Sequence, residues 1–125
     1  MRDITKIISS IKKNKTVKAI YLFGSQARNE AGPLSDIDIC VIAPTASEKE
    51  KNDIAGCGYW DVDIVLFDNL SLIIQARIFK EGKSLYVADP EYINELAWRT
   101  TKTYFDFKPI LKKFIETYIP GAHYV

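Results

Sequence analysis

Gly24-Ser25-Gln26-Ala27-Arg28-Asn29-Glu30-Ala31-Gly32-Pro33-Leu34-Ser35-Asp36-Ile37-Asp38 joins a small-residue turn to two acids at the head of an apolar run, Ile39-Cys40-Val41-Ile42. The run reads as a strand. Successive strand side chains alternate faces at a rise of about 3.3 Å, so Asp36 and Asp38 are expected on one side, roughly 6.6 Å apart along the chain. Two acids aimed at one point repel each other, and such a pair usually persists because a divalent cation lies between them. Magnesium fits best: it prefers oxygen ligands and is commonly held by one or two carboxylates together with substrate phosphates.

Upstream, Ala19-Ile20-Tyr21-Leu22-Phe23 reads as a strand ending at Gly24, and Gln26-Ala27-Arg28 as the first turn of a helix capped by Ser25. Free amide hydrogens at a helix start bind phosphate, Gly24 allows close backbone approach, and Arg28 can add a charged fork. Taken singly, a Gly-Ser cap and an Asp-x-Asp strand start are ordinary features. In this order, between two strands, they point to a nucleotide site.

Gly24-Ser25, ten intervening residues and Asp36-Ile37-Asp38 resemble the signature of the DNA polymerase β-like nucleotidyltransferase superfamily, with Arg28 and Ser35 matching residues that spacer usually carries. The short chain is similar to the smallest members, the minimal nucleotidyltransferases. The resemblance implies an α/β (α+β) fold with a small mixed sheet flanked by helices. It further implies ATP as substrate, two magnesium ions, and transfer of a nucleoside monophosphate to a hydroxyl. A third carboxylate on a neighbouring strand belongs to that pattern. In Tyr59-Trp60-Asp61-Val62-Asp63-Ile64-Val65-Leu66-Phe67, Asp63 directly precedes the apolar segment and fits it best, while Asp61 shares its parity and is the alternative. By this reading Asp36, Asp38 and Asp63 are the catalytic and metal-holding acids, and Gly24, Ser25 and Arg28 contact the nucleotide. Ions roughly 3.5–4 Å apart stabilise both the attacking and the leaving oxygen of an in-line displacement.

Composition agrees with one small enzyme domain spanning residues 1–125. At 125 residues, 47% apolar and 26% charged, the chain is long enough for a core, and a net charge of +1 gives no basic field suited to duplex nucleic acid. Lys6, Lys12, Lys13, Lys15 and Lys18 give a local positive bias that reads as a solvated face. Cys40 and Cys57 lack zinc-site spacing and read as reduced thiols of a cytoplasmic protein, and His123 lies in the tail. No segment has the length and apolarity of a signal or a membrane span.

Ile4, Ile7, Ile8 and Ile11 predict an amphipathic first helix. Strands are expected over 18–23, 36–43 and 59–67, a loop or short helix within 43–58, a helix from Leu70 to Phe79 ending near Gly82, and a short edge strand at Ser84–Val87. Pro90–Lys102 and Phe105–Tyr118 read as two C-terminal helices, the second with Phe107, Ile110, Leu111, Phe114, Ile115 and Tyr118 along one side. That stripe suits core, a dimer, or attachment to a partner helix.

The stretch Arg77 through Gly82-Lys83-Ser84-Leu85-Tyr86, followed by helices carrying Tyr104 and Asp106, resembles the MNT antitoxins that accompany HEPN-domain toxins. The resemblance implies transfer of AMP from ATP to a tyrosine of the toxin, an RNase. Two other readings remain open: a transferase acting on a small-molecule hydroxyl, as aminoglycoside nucleotidyltransferases do, and an antitoxin acting by binding alone. A membrane or nucleic-acid partner is not expected.

Overall fold

A computed structural model describes residues 4–24, 36–59, 61–119 and 121. The elements run α1 (Thr5–Lys12), β1 (Ala19–Phe23), β2 (Ile37–Ile42), α2 (Glu48–Ala55), β3 (Val62–Leu66), a 3-10 turn (Phe67–Asn69), α3 (Leu72–Glu81), β4 (Lys83–Val87) and α4 (Pro90–Tyr118). Ser25, Arg28, Trp60 and His123 lie outside the described residues.

The strands form a mixed sheet in the order β3-β2-β1-β4. β1 pairs antiparallel with both β2 and β4, and β2 pairs parallel with β3. A parallel pair needs a crossover, and α2 supplies it. Ser47 accepts from the Glu50 amide while Glu50 reaches back to the Ser47 amide, a reciprocal cap that fixes where α2 begins. The region from 43 to 58 therefore contains the short helix of the two options its composition allowed.

β2 is central and buried on both faces, which is why its sequence is an unbroken apolar run. Ile7 and Ile11 of α1 and Ile54 of α2 pack on one face against Ile20, Ile39 and Val41. Ile78 of α3 and Ile93 of α4 pack on the other, against Ala19, Cys40 and Ile42. Ile39 is fully buried, so truncating it to Ala would cost about 2–5 kcal/mol.

Several boundaries differ from expectation: the strand expected over 36–43 spans Ile37–Ile42 and leaves Asp36 outside it, the helix expected over 70–79 spans Leu72–Glu81, and two differences are larger. The strand foreseen over 59–67 is shorter, because its parallel partner begins only at Ile37, which pairs with Val62. Tyr59 is exposed, and the Val62 amide closes a turn onto the Tyr59 carbonyl at 3.0 Å. The two C-terminal helices are one helix of 29 residues, about 43 Å long at about 1.5 Å per residue. No glycine or proline interrupts it near Thr103, whose hydroxyl donates to the Arg99 carbonyl at 2.8 Å within the helix. It runs on through Pro109 despite the missing amide.

Only Ile93 and Thr100 of α4 are buried. Trp98, Phe105, Phe107, Ile110, Phe114 and Tyr118 are exposed, Tyr118 by 70%. The stripe foreseen on this helix is thus not core within the chain. No described helix is long and apolar enough to cross a membrane.

Candidate active site

The register of the sheet assembles the acids. Phe23 of β1 pairs with Asp38 of β2, and Asp38 pairs with Asp63 of β3. Paired residues project to the same face, so Phe23, Asp38 and Asp63 form a row across three strands, with about 4.8 Å between neighbouring strands. By alternation from Cys40 and Ile42, that is the face covered by α3 and α4. Asp38 is the one residue of β2 that is not buried.

Asp36 is exposed and sits one residue before β2, outside the ladder. Its charge is nevertheless felt at Asp38. Burial raises the Asp38 pKa above its ordinary value of 3.8, and the neighbouring charges of Asp63 and then Asp36 raise it further. Asp61 lies in the turn before β3, where its carbonyl accepts from the Ile37 amide at 3.0 Å. Strand parity therefore does not govern its side chain, whereas Asp63 stands directly opposite Asp38.

Gly24 closes the site from the end of β1. Its φ of +72° is a left-handed conformation, and a Cβ built there would stand 2.5 Å from the Asp38 Oδ2. Only glycine lets the main chain take this turn so near the carboxylate. Ser25 and Arg28, foreseen as partners of Gly24 in holding phosphate, lie outside the described residues.

Among the described residues, no three acids, histidines or cysteines stand close enough to enclose an ion unaided. The donors still suit magnesium. They are hard carboxylate oxygens whose mutual repulsion a cation relieves, and magnesium typically takes one or two carboxylates and fills its remaining positions with water and phosphate.

A cleft of about 120 Å³ opens beside Gly24 on the same flank. Phe23 and Gly24 line it from the sheet, and Ile74, Arg77, Ile78 and Glu81 from α3. Arg77 Nη2 lies 3.8 Å from Glu81 Oε1. No sequence signal assigns a role to Ile74, Ile78 or Glu81. The Arg77–Tyr86 stretch is distinctive, but only the packing of α3 on β1 brings Arg77 and Glu81 to the site. Cys40 lies two residues along β2 from Asp38, fully buried, and its thiol is pushed up to about 12, chiefly by burial and then by the Asp68 charge.

Residues 5–91 match the family model described as polymerase beta, nucleotidyltransferase. A protein of Methanocaldococcus jannaschii, named as a putative protein adenylyltransferase, is 30% identical over 78% of this chain and 77% of its own length. Among solved structures, a toxin–antitoxin with AMP-PNP superposes with a TM-score of 0.74 at 27% identity, covering 93% of this chain and 98% of the matched one. A complex of the tri-AMPylated HEPN toxin of Shewanella oneidensis with its MNT antitoxin matches with a TM-score of 0.67 at 26% identity, over 90% and 92% of the two chains. The site that gathers Gly24, Asp38 and Asp63 thus lies within the matched span, and the chain belongs to the polymerase beta nucleotidyltransferase family.

Proposed function

We propose that the chain is an antitoxin that neutralises a HEPN-domain RNase toxin by transferring AMP from ATP to a tyrosine hydroxyl of that toxin, in the cytoplasm. The observation that carries this reading is the row Phe23–Asp38–Asp63, with Gly24 against the Asp38 carboxylate and Asp36 close enough to perturb it. Similarity to chains from toxin–antitoxin complexes, one with AMP-PNP and one with a tri-AMPylated toxin, supports the donor and the acceptor class.

Asp36 and Asp38 would hold magnesium with Asp63, and the ion when bound supplies neutralisation of the clustered acids and of the phosphates. Gly24, Ser25 and Arg28 are assigned to the phosphates. Asp63, exposed on an edge strand, accepts the proton of the incoming hydroxyl. The hydroxyl oxygen bonds to the α-phosphorus as the bond to the bridging oxygen breaks, and pyrophosphate departs with the electron pair. Positioning and charge account for most of the catalysis, because little covalent chemistry falls to the protein. The exposed apolar side chains of α4, from Trp98 to Tyr118, offer the toxin a seat.

The test is co-purification with the protein encoded beside it, which this reading expects to be a HEPN-domain protein. Intact mass should rise by whole AMP units, and Asp36→Asn with Asp38→Asn should abolish both that rise and protection from toxicity. Protection that survives the double substitution would show an antitoxin acting by binding alone. Labelled ATP consumed with an aminoglycoside and never with the protein would refute the protein acceptor.

A further inference from the structure

We propose that α4 beyond Thr103 is held as a helix by the toxin rather than by its own chain, so that its far half folds as the complex forms; the inference rests on the antitoxin reading above. From Thr101 to Tyr118 no residue is buried. Tyr104, Phe107, Leu111, Phe114 and Tyr118 follow one another at intervals of three and four, continuing the stripe of Ile93 and Thr100 past the point where the chain covers it. Phe114 and Tyr118 stay 54% and 70% exposed. A helical segment of this length with no covered face is marginal in water. This one is weaker than most, because Lys108, Leu111, Lys112, Lys113 and Glu116 are its only strong helix formers and Pro109 removes the amide that would bond to the Phe105 carbonyl. Local pairs do not compensate. The Lys102–Asp106 contact at 3.1 Å and the Phe114–Tyr118 ring contact at 4.9 Å each offset only about a tenth of what an interior proline costs.

The occupant of this seam is the toxin and not a second copy of the chain. From Tyr104 to Tyr118 the seam is about 21 Å long and, at one helix diameter, about 10 Å wide. Two copies paired along it would cover roughly 200 Å² each, against about 800 Å² per partner in a standard interface. A two-fold pairing about Leu111 would also set Lys108, Lys112 and Lys113 of one copy against the same lysines of the other. The surplus of lysine over acid along this half suits a different protein, one with an apolar groove whose rim carries carboxylates.

The experiment is hydrogen exchange read by mass spectrometry on the full chain, alone and with the co-purified protein encoded beside it. Alone, the chain should be monomeric by light scattering and should exchange the amides of 104–118 within about ten-fold of the unstructured rate, while those of 94–100 stay protected. With the partner at about a hundred times its Kd, exchange over 104–118 should slow on the order of 100-fold. Pro109→Ala should slow exchange in the free chain by about ten-fold and tighten partner binding in proportion, because more of the free chain is already competent to bind. A monomeric free chain that protects 104–118 as strongly as 94–100 overturns the proposal. So does protection that appears together with a dimeric mass, which makes a second copy the occupant, and so does a complex whose formation leaves exchange over 104–118 unchanged. Slower exchange in Pro109→Ala with unaltered partner affinity separates folding from binding and also refutes it. In each of these cases AMP units on the partner leave the antitoxin reading standing. A chain that holds no protein encoded beside it overturns both.

Discussion

Gly24→Ala isolates the closeness of main chain and carboxylate at the end of β1. An alanine forced to φ +72° pays roughly 1–2 kcal/mol for the left-handed conformation. For a domain of this length that lowers Tm by about 4–8 °C. The new methyl also meets the Asp38 Oδ2 at 2.5 Å, about 0.9 Å inside the 3.4 Å at which ordinary contact begins. The atom encountered is the tip of a side chain, so the carboxylate swings away and the backbone stays. With Asp38 in the catalytic role proposed above, a displacement of about 1 Å costs on the order of 100-fold in rate. The assay pairs calorimetric unfolding with initial rates of label transfer from ATP to the co-purified partner. Gly121→Ala is the control, since its φ of +85° carries similar strain with nothing within 4 Å of the added carbon, and its transfer rate should match the unaltered chain. A Gly24→Ala protein that melts several degrees lower yet transfers within threefold of normal would refute the claim that Gly24 holds Asp38 in place.

Asp38→Asn should raise stability in a chelator-containing buffer at neutral pH. The folded-state pKa of Asp38 is raised above 3.8, so its folding contribution is most favourable below that value and is lost as pH climbs through the folded value. The advantage of the variant should therefore vanish in acid, and a constant difference from pH 3 to 7 in urea titrations would contradict the electrostatic account. Cys57, partly exposed, should react with iodoacetamide at pH 8, while Cys40, buried with a thiol near 12, should react only in urea; peptide mapping with comparable native labelling of both would be inconsistent with this packing. Ile110→Glu with Phe114→Glu, both exposed on α4, should leave Tm within a few degrees and abolish partner co-elution on gel filtration; retained co-elution would remove α4 from the interface.

The parts of the architecture legible in the sequence are those with a local cause. Ile4, Ile7, Ile8 and Ile11 announce α1 by spacing, and the apolar run after Asp38 announces a strand covered on both sides. The opposition of Asp38 and Asp63 is not local. Nothing in the chain between them encodes which strand lies beside which, and the two-residue spacing of Asp61 and Asp63 does not say which of them stands opposite Asp38, a matter of where β3 pairs with β2. The division of α4 at Thr103 failed for a local reason: a threonine whose hydroxyl bonds back to Arg99 can be accommodated inside a helix. The cleft was illegible because Phe23 and Arg77 meet only through packing.

The two facing aspartates owe their meeting to the phase of a ladder, and the chain between them crosses over through a helix with its own cap. Deleting one codon within 37–42 or 62–66 would turn a carboxylate to the opposite side of the sheet and silence the protein. Lengthening the exposed turn at Pro44-Thr45 by several residues adds well under 1 kcal/mol of closure entropy and leaves the phase untouched. That turn is therefore where an epitope or a reporter peptide can be spliced in without disturbing the acids, which lie at the other end of β2, roughly 20 Å away at about 3.3 Å per residue.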